Sequence, residues 1–187
     1  SNRVQSQLGL ESSTMWLNTK ETEQRMLDAY NSDFDPKAFD PQCSMVRKAI
    51  ILAAGMGARL KDRGRQTPKG CLCLGEKPIL EESIERLLAT GIQRIVIVTG
   101  HLAEQFEPLQ ARYRGAVQLV HNPHFADSGS MYSLSCARHC VDEDFLLLES
   151  DLVYERRALT TCLEHPSDSV VLLAGVSNTS DEVFVET

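Results

Sequence analysis

Ala49-Ile50-Ile51-Leu52-Ala53-Ala54 runs without a polar interruption into Gly55-Met56-Gly57, and Arg59 and Pro68-Lys69 follow shortly after. A short apolar run ending in glycines reads as a buried strand that turns sharply at its carboxyl end. Glycines at 55 and 57 let backbone N–H groups approach phosphate oxygens without Cβ clashes. Arg59 and Lys69 add two cations that can neutralise charge on a phosphoryl group. A nucleoside triphosphate makes these demands together. The turn differs from two better-known phosphate loops. No Gly-Lys pair follows it, as a P-loop requires, and Leu60 stands where a dinucleotide-binding fingerprint has its third glycine.

Downstream, strand and helix patterns alternate. Ile79 to Thr90 has apolar residues at 80, 84, 87 and 88, an amphipathic helix closed by Gly91. Arg94 to Thr99 contains Ile95-Val96-Ile97-Val98, a β-branched run suited to a strand covered on both faces. Leu102 to Tyr113 and Met131 to His139 read as helices. Val117–Val120, Asp144–Leu148 and Val170–Leu173 read as strands, and Cys71 and Cys73 fall in another short one. Alternation of this kind predicts right-handed crossovers and a mostly parallel sheet in an α/β/α sandwich. The glycine turn, Thr99-Gly100-His101 and Glu149-Ser150-Asp151 then all follow strand ends, where open α/β sheets bind ligands.

Residues 1–45 have a different character. Met15, Trp16, Leu17, Met26, Leu27 and Tyr30 form a narrow apolar stripe, and Ser32 to Pro41 breaks it, so a helical extension and linker are expected ahead of a domain at 46–187. The net charge of −7 argues against a general nucleic-acid binder. No apolar stretch approaches the ~20 residues of a membrane span, so no membrane insertion is expected. The cysteine spacings match neither common zinc sites nor a disulfide framework, and reduced thiols in the cytoplasm are the expectation.

Leu52-Ala53-Ala54-Gly55-Met56-Gly57-Ala58-Arg59 with Pro68-Lys69 resembles the signature of nucleotidyltransferases that couple a nucleoside triphosphate to a phosphorylated small molecule. The resemblance continues through Gly75-Glu76-Lys77-Pro78-Ile79-Leu80-Glu81. Asn122-Pro123, Ser128-Gly129-Ser130-Met131 and Phe145-Leu146-Leu147-Leu148-Glu149-Ser150-Asp151 look like the cytidylyltransferase branch. Within it the 2-aminoethylphosphonate cytidylyltransferases are most similar, and they also show a segment like Ser180 to Glu186. The likeness covers residues 46–187. It implies a Rossmann-like nucleotidyltransferase fold that is incomplete at its C-terminus, because resembling enzymes continue further and supply a second metal-binding carboxylate.

The resemblance implies attack by an anionic phosphonate or phosphate oxygen on the α-phosphorus of CTP, releasing pyrophosphate. That nucleophile is already ionised at neutral pH, so charge neutralisation and positioning carry the rate. Lys69 is the expected bridge between α-phosphate and incoming oxygen, and Arg59 the holder of the β- and γ-phosphates. Asp151 is the expected ligand of Mg2+. Glu149, two residues earlier on an extended segment, is a candidate for the metal or for the acceptor. Leu52, Ala53, Ala54, Gly55, Gly57, Gly100, Ser128, Gly129 and Ser130 are expected around the nucleotide, and Ser130 also suits a helix N-cap. Asp181 and Glu182 are candidates for the acceptor's ammonium group. The function implied is CMP transfer to 2-aminoethylphosphonate in phosphonate biosynthesis. Alternatives are a phosphocholine or sugar-phosphate nucleotidyltransferase, or an inactive nucleotide-binding or assembly fragment. A homodimer or a fused C-terminal domain is also conceivable.

Overall fold

The computed structural model describes residues 46–57 and 62–173. They belong to two compact units, one ending at Val153 and one resuming at Tyr154. The extension expected at 1–45, the segment 180–186, and Arg59, Asp181 and Glu182 lie outside the described residues.

The first unit is built on four parallel strands, β1 (Lys48–Ala53), β2 (Arg94–Thr99), β3 (Val117–His121) and β4 (Phe145–Glu149), in the order β3-β2-β1-β4. Every residue of β1 is buried, and so are Ile95 to Thr99 of β2. Two-sided burial is what a continuous apolar run is suited to. The chain moves from β1 to β2 to β3 in one direction, then crosses back to place β4 on the far side of β1. Right-handed crossovers therefore put the helices of the first two connections on one face and that of the third on the other. The result is an α/β fold with a Rossmann-like sheet whose strands, among the described residues, are parallel.

Helix α1 spans Asp62–Gln66 and α2 spans Ile79–Ala89. Leu80, Ile84 and Leu87 of α2 are buried, and Gly91 takes φ +89° just past its end, the left-handed turn for which glycine suits. On the third crossover, helix α4 (Ser130–Cys136) covers Ile50, Leu52, Val96 and Val98, with Ala137 and Leu134 completing that layer.

Several local expectations need correction. Leu102–Tyr113 is not one helix. A 3-10 turn (Ala103–Phe106) precedes α3 (Glu107–Arg112), because Leu102 sits at φ +53° and Pro108, which lacks an N–H, falls in the first turn of α3. Met131–His139 divides into α4 and a 3-10 turn at Arg138–Cys140. The strand expected around Cys71 and Cys73 is a 3-10 turn, Lys69–Cys71, followed by a single bridge from Cys73 to Pro78. Val170–Leu173 carries no strand. Val171, Leu172 and Leu173 are exposed, and an apolar run becomes a strand only where a neighbouring ladder accepts it.

Charged groups brace the sheet from its other end. Lys48, with a side chain only 5% exposed, pairs with Asp142 and with Glu143 at 3.3 Å. Between α2 and α3, the buried Glu81 carboxylate accepts from Arg112, and the Tyr113 hydroxyl lies 3.1 Å from Glu85, which also receives Lys77 at 2.8 Å. In the second unit, helix α5 (Arg156–Leu163) buries Leu159. No helix among the described residues is long and apolar enough to cross a membrane.

Candidate functional site

The order β3-β2-β1-β4 reverses direction between β1 and β4, and the crevice outside their carboxyl ends is where such sheets receive ligands. The glycine turn after β1 and the Glu149-Ser150-Asp151 segment meet there. Ser150 N–H donates to the Leu52 carbonyl at 3.0 Å, so the β1–β4 ladder runs one residue beyond β4 and fixes where Asp151 begins its turn.

Lys69 arrives from a separate element. Pro68, buried and extended, sets up the 3-10 turn, and Cys71 N–H closes it on the Pro68 carbonyl at 2.9 Å. Gly57 adopts φ +61°, and a Cβ there would lie 3.4 Å from Cγ of Lys69, so the lysine stem rests on the glycine turn. Gly70 then presses against β4. A Cβ on it would come 2.9 Å from the Ser150 carbonyl oxygen, closer than real Cβ contacts come, and 3.1 Å from Ser150 Cβ, a tight approach. Glycine at 70 is thus what lets the lysine turn and the end of β4 touch. Lys69 Nζ donates to Asp151 Oδ2 at 3.0 Å, both side chains a little over a third exposed.

The remaining wall is equally specific. His101 N–H donates to the Ala54 carbonyl at 3.3 Å. A Cβ at Gly100 would fall 2.7 Å from that same oxygen and 2.4 Å from Phe125 Cβ. Ala54, Gly100 and Phe125 are therefore interlocked. Ser128 Oγ accepts from the Asn122 amide at 3.0 Å, and Ser130 Oγ donates to Glu149 Oε1 at 3.2 Å. Gly129 is the residue that caps α4, with no side-chain bond, and Ser130 is the first helical residue, its hydroxyl turned to Glu149 instead of the helix. Protein atoms crowding the Glu149 carboxylate raise its pKa, the Ser130 hydroxyl opposes this, and the Asp151 charge adds to the rise.

Of the sequence-derived set, Lys69 and Asp151 are in direct contact. Glu149 lies near enough to feel both charges, and Leu52, Ala54, Gly57 and Gly100 hold the surrounding backbone. Ala53 is buried beneath the turn and Gly55 is exposed at its tip. Sequence reasoning passed over Gly70, Phe125 and the side chain of Asn122. An asparagine directly after a strand and before proline was the available signal for Asn122. Nothing local marks Gly70 or Phe125, because both matter through distant partners.

A lysine, a carboxylate pair and a glycine turn at one sheet edge suit phosphate chemistry, and the relatives agree with this. A family model described as the MobA-like NTP transferase domain matches residues 49–181. The choline-phosphate cytidylyltransferase of Streptococcus pneumoniae is 46% identical over 87 residues, 46% of this chain and 37% of that one. The 2-aminoethylphosphonate cytidylyltransferase of Lancefieldella rimae is 36% identical over 106 residues, 56% of this chain and 43% of its own. A solved CTP:phosphocholine cytidylyltransferase from Streptococcus pneumoniae superposes with a TM-score of 0.52 at 35% identity, covering 60% of this chain and 50% of that one. The matched region spans half or less of the length of each of these relatives. The chain belongs to the MobA-like NTP transferase family of nucleotidyltransferases.

Proposed function

We propose that the protein transfers CMP from CTP to 2-aminoethylphosphonate and releases pyrophosphate. The observation that carries this reading is the Lys69–Asp151 contact at 3.0 Å, formed where the glycine turn after β1 meets the end of β4. A lysine so placed can leave its carboxylate for an anionic oxygen and an α-phosphate, lowering the repulsion between two anions as they approach in line. No general base is needed, because a phosphonate is ionised at neutral pH. Arg59 is assigned to the departing pyrophosphate. Leu52 to Gly55, Gly57, Gly100 and Ser128 to Ser130 are assigned to the nucleotide. Glu149, Asp181 and Glu182 are assigned to the acceptor's ammonium.

Mg2+ fits the donor set. Asp151 offers a hard carboxylate oxygen with Glu149 close by, and no group of three or more possible ligands gathers among the described residues. One or two carboxylates, completed by phosphates and water, is the usual provision for this ion. When bound it would offset phosphate charge beside Lys69. A second reading, phosphocholine as acceptor, draws on the higher identity to the pneumococcal enzyme over its shorter match.

Pyrophosphate release with CTP and Mg2+ tests both, with 2-aminoethylphosphonate, phosphocholine and glucose 1-phosphate offered in parallel. Turnover confined to 2-aminoethylphosphonate, and lowered roughly 10²–10³-fold or more in Lys69→Ala, is the expected result. Preference for phosphocholine would replace the first reading by the second. CTP binding without turnover on any acceptor would reduce the 187-residue chain to a nucleotide-binding fragment.

A further inference from the structure

Asn122 is the most completely buried polar side chain near the site, with 0% exposure. A buried primary amide is costly unless its two N–H groups and its oxygen are matched. Here all are. Nδ2 donates to Ser128 Oγ and to Ser133 Oγ, each at 3.0 Å, and Oδ1 accepts the His124 N–H at 2.8 Å. The His124 donor fixes which end of the amide is oxygen. The Asn122 backbone N–H donates to the Thr99 carbonyl at 2.8 Å, anchoring the residue to the end of β2 beside Gly100.

These bonds straddle the start of α4. Ser128 precedes it and Ser133 lies within it, whereas Gly129, the residue that caps the helix, offers no side-chain bond. No side-chain cap ties Ser128-Gly129-Ser130 to the helix, whose Ser133 N–H reaches the Gly129 carbonyl at 3.2 Å, and the amide beneath ties Ser128 to the sheet. The far end of the same segment is held by the Ser130–Glu149 bond.

We propose that Asn122 is the positioning residue of the base-binding wall: it suspends Ser128–Ser130 from the carboxyl end of the sheet and sets nucleotide affinity and selectivity, not the transfer step. This rests on the assignment of Ser128–Ser130 to the nucleotide. A residue of merely structural value would lower stability alone. A positioning residue moves binding and leaves turnover of the bound complex nearly intact.

The test measures Kd for CTP and for UTP, kcat and Tm for the 187-residue chain and its variants. In Asn122→Ala the CTP Kd rises roughly tenfold or more and the CTP-over-UTP preference shrinks, while kcat changes by less than about threefold. Ser133→Ala, which leaves the Ser128 bond in place, lowers Tm and keeps the wild-type CTP Kd. If Asn122→Ala does not fold, Asn122→Leu, which fills the space without the amide donors, takes its place and must shift the CTP Kd in the same direction. Wild-type Kd and CTP preference in the folded Asn122 variant overturns the proposal. So does a CTP Kd in Ser133→Ala raised as much as in Asn122→Ala. Wild-type protein that binds neither nucleotide would overturn the nucleotide assignment itself, a failure seen before any variant is compared.

Discussion

Lys69 and Asp151 neutralise one another across the crevice, and on the proposed function a triphosphate would have to draw Lys69 away with a competing anion. The arrangement depends on a residue with no side chain. Gly70 admits the Ser150 carbonyl to a distance that a methyl group would contest at 2.9 Å from backbone oxygen, an atom that cannot swing away. Gly70→Ala is therefore expected to cost about 1–3 kcal/mol, the range for overpacking a tight contact. It should also part Lys69 from Asp151, lowering kcat roughly tenfold through misplacement alone. Thermal melts and pyrophosphate release on the same preparation check the pair of effects. A normal kcat in a destabilised variant would mean that the lysine turn is not held by this contact. The sequence showed Lys69 through its proline and its neighbours but not the role of Gly70, because its constraint comes from the end of β4, far along the chain.

Elements were legible where one physical cause decided them. The apolar runs of β1 and β2 admitted only buried strands, and the spacing of Leu80, Ile84 and Leu87 only a helix. They failed where a single residue overrode the pattern, as Pro108 does in the first turn of α3, or where the needed partner was not local, as at Val170–Leu173. The brace between α2 and α3 is of the same kind, since Lys77, Glu85 and Tyr113 are joined by the fold and not by spacing alone. Its pH dependence follows from two shifts. The hydrogen bond from Lys77 lowers the Glu85 pKa, so that stabilisation is present above the unfolded value of about 4.3 and is lost as pH falls through the folded one. The same bond raises the Lys77 pKa, so its share is present below about 10.4 and is lost as pH rises through the folded value. Glu85→Gln is accordingly expected to lower Tm by roughly 1–2 °C at neutral pH, a small effect for a half-exposed pair. Melts across pH 3 to 8 should show the gap between variant and parent closing below about pH 4. A gap that persists in acid would assign the effect to packing.

Across the sheet as a whole, architecture and chemistry meet in the β1–β4 register. The class of fold and the edge on which the site lies were both readable from strand–helix alternation. The order β3-β2-β1-β4 was not, because parallel pairing leaves no short turn to announce which strands are neighbours. In that register Leu146, Leu147 and Leu148 stand opposite Ala49, Ile50 and Ile51, and Glu149 opposite Leu52. A leucine inserted between Leu147 and Leu148 would leave apolar residues at every core position of β4 while advancing Glu149 and Asp151 by one place. Such a variant is expected to stay soluble with Tm within roughly 5 °C of the parent, yet to release no pyrophosphate. Calorimetry beside the activity assay would show it, and retained turnover would mean the register is not what aims Asp151. Packing reads this strand as an interchangeable string of leucines and the site reads it as a ruler, so a screen for folded protein would let pass a frame error that only chemistry can detect.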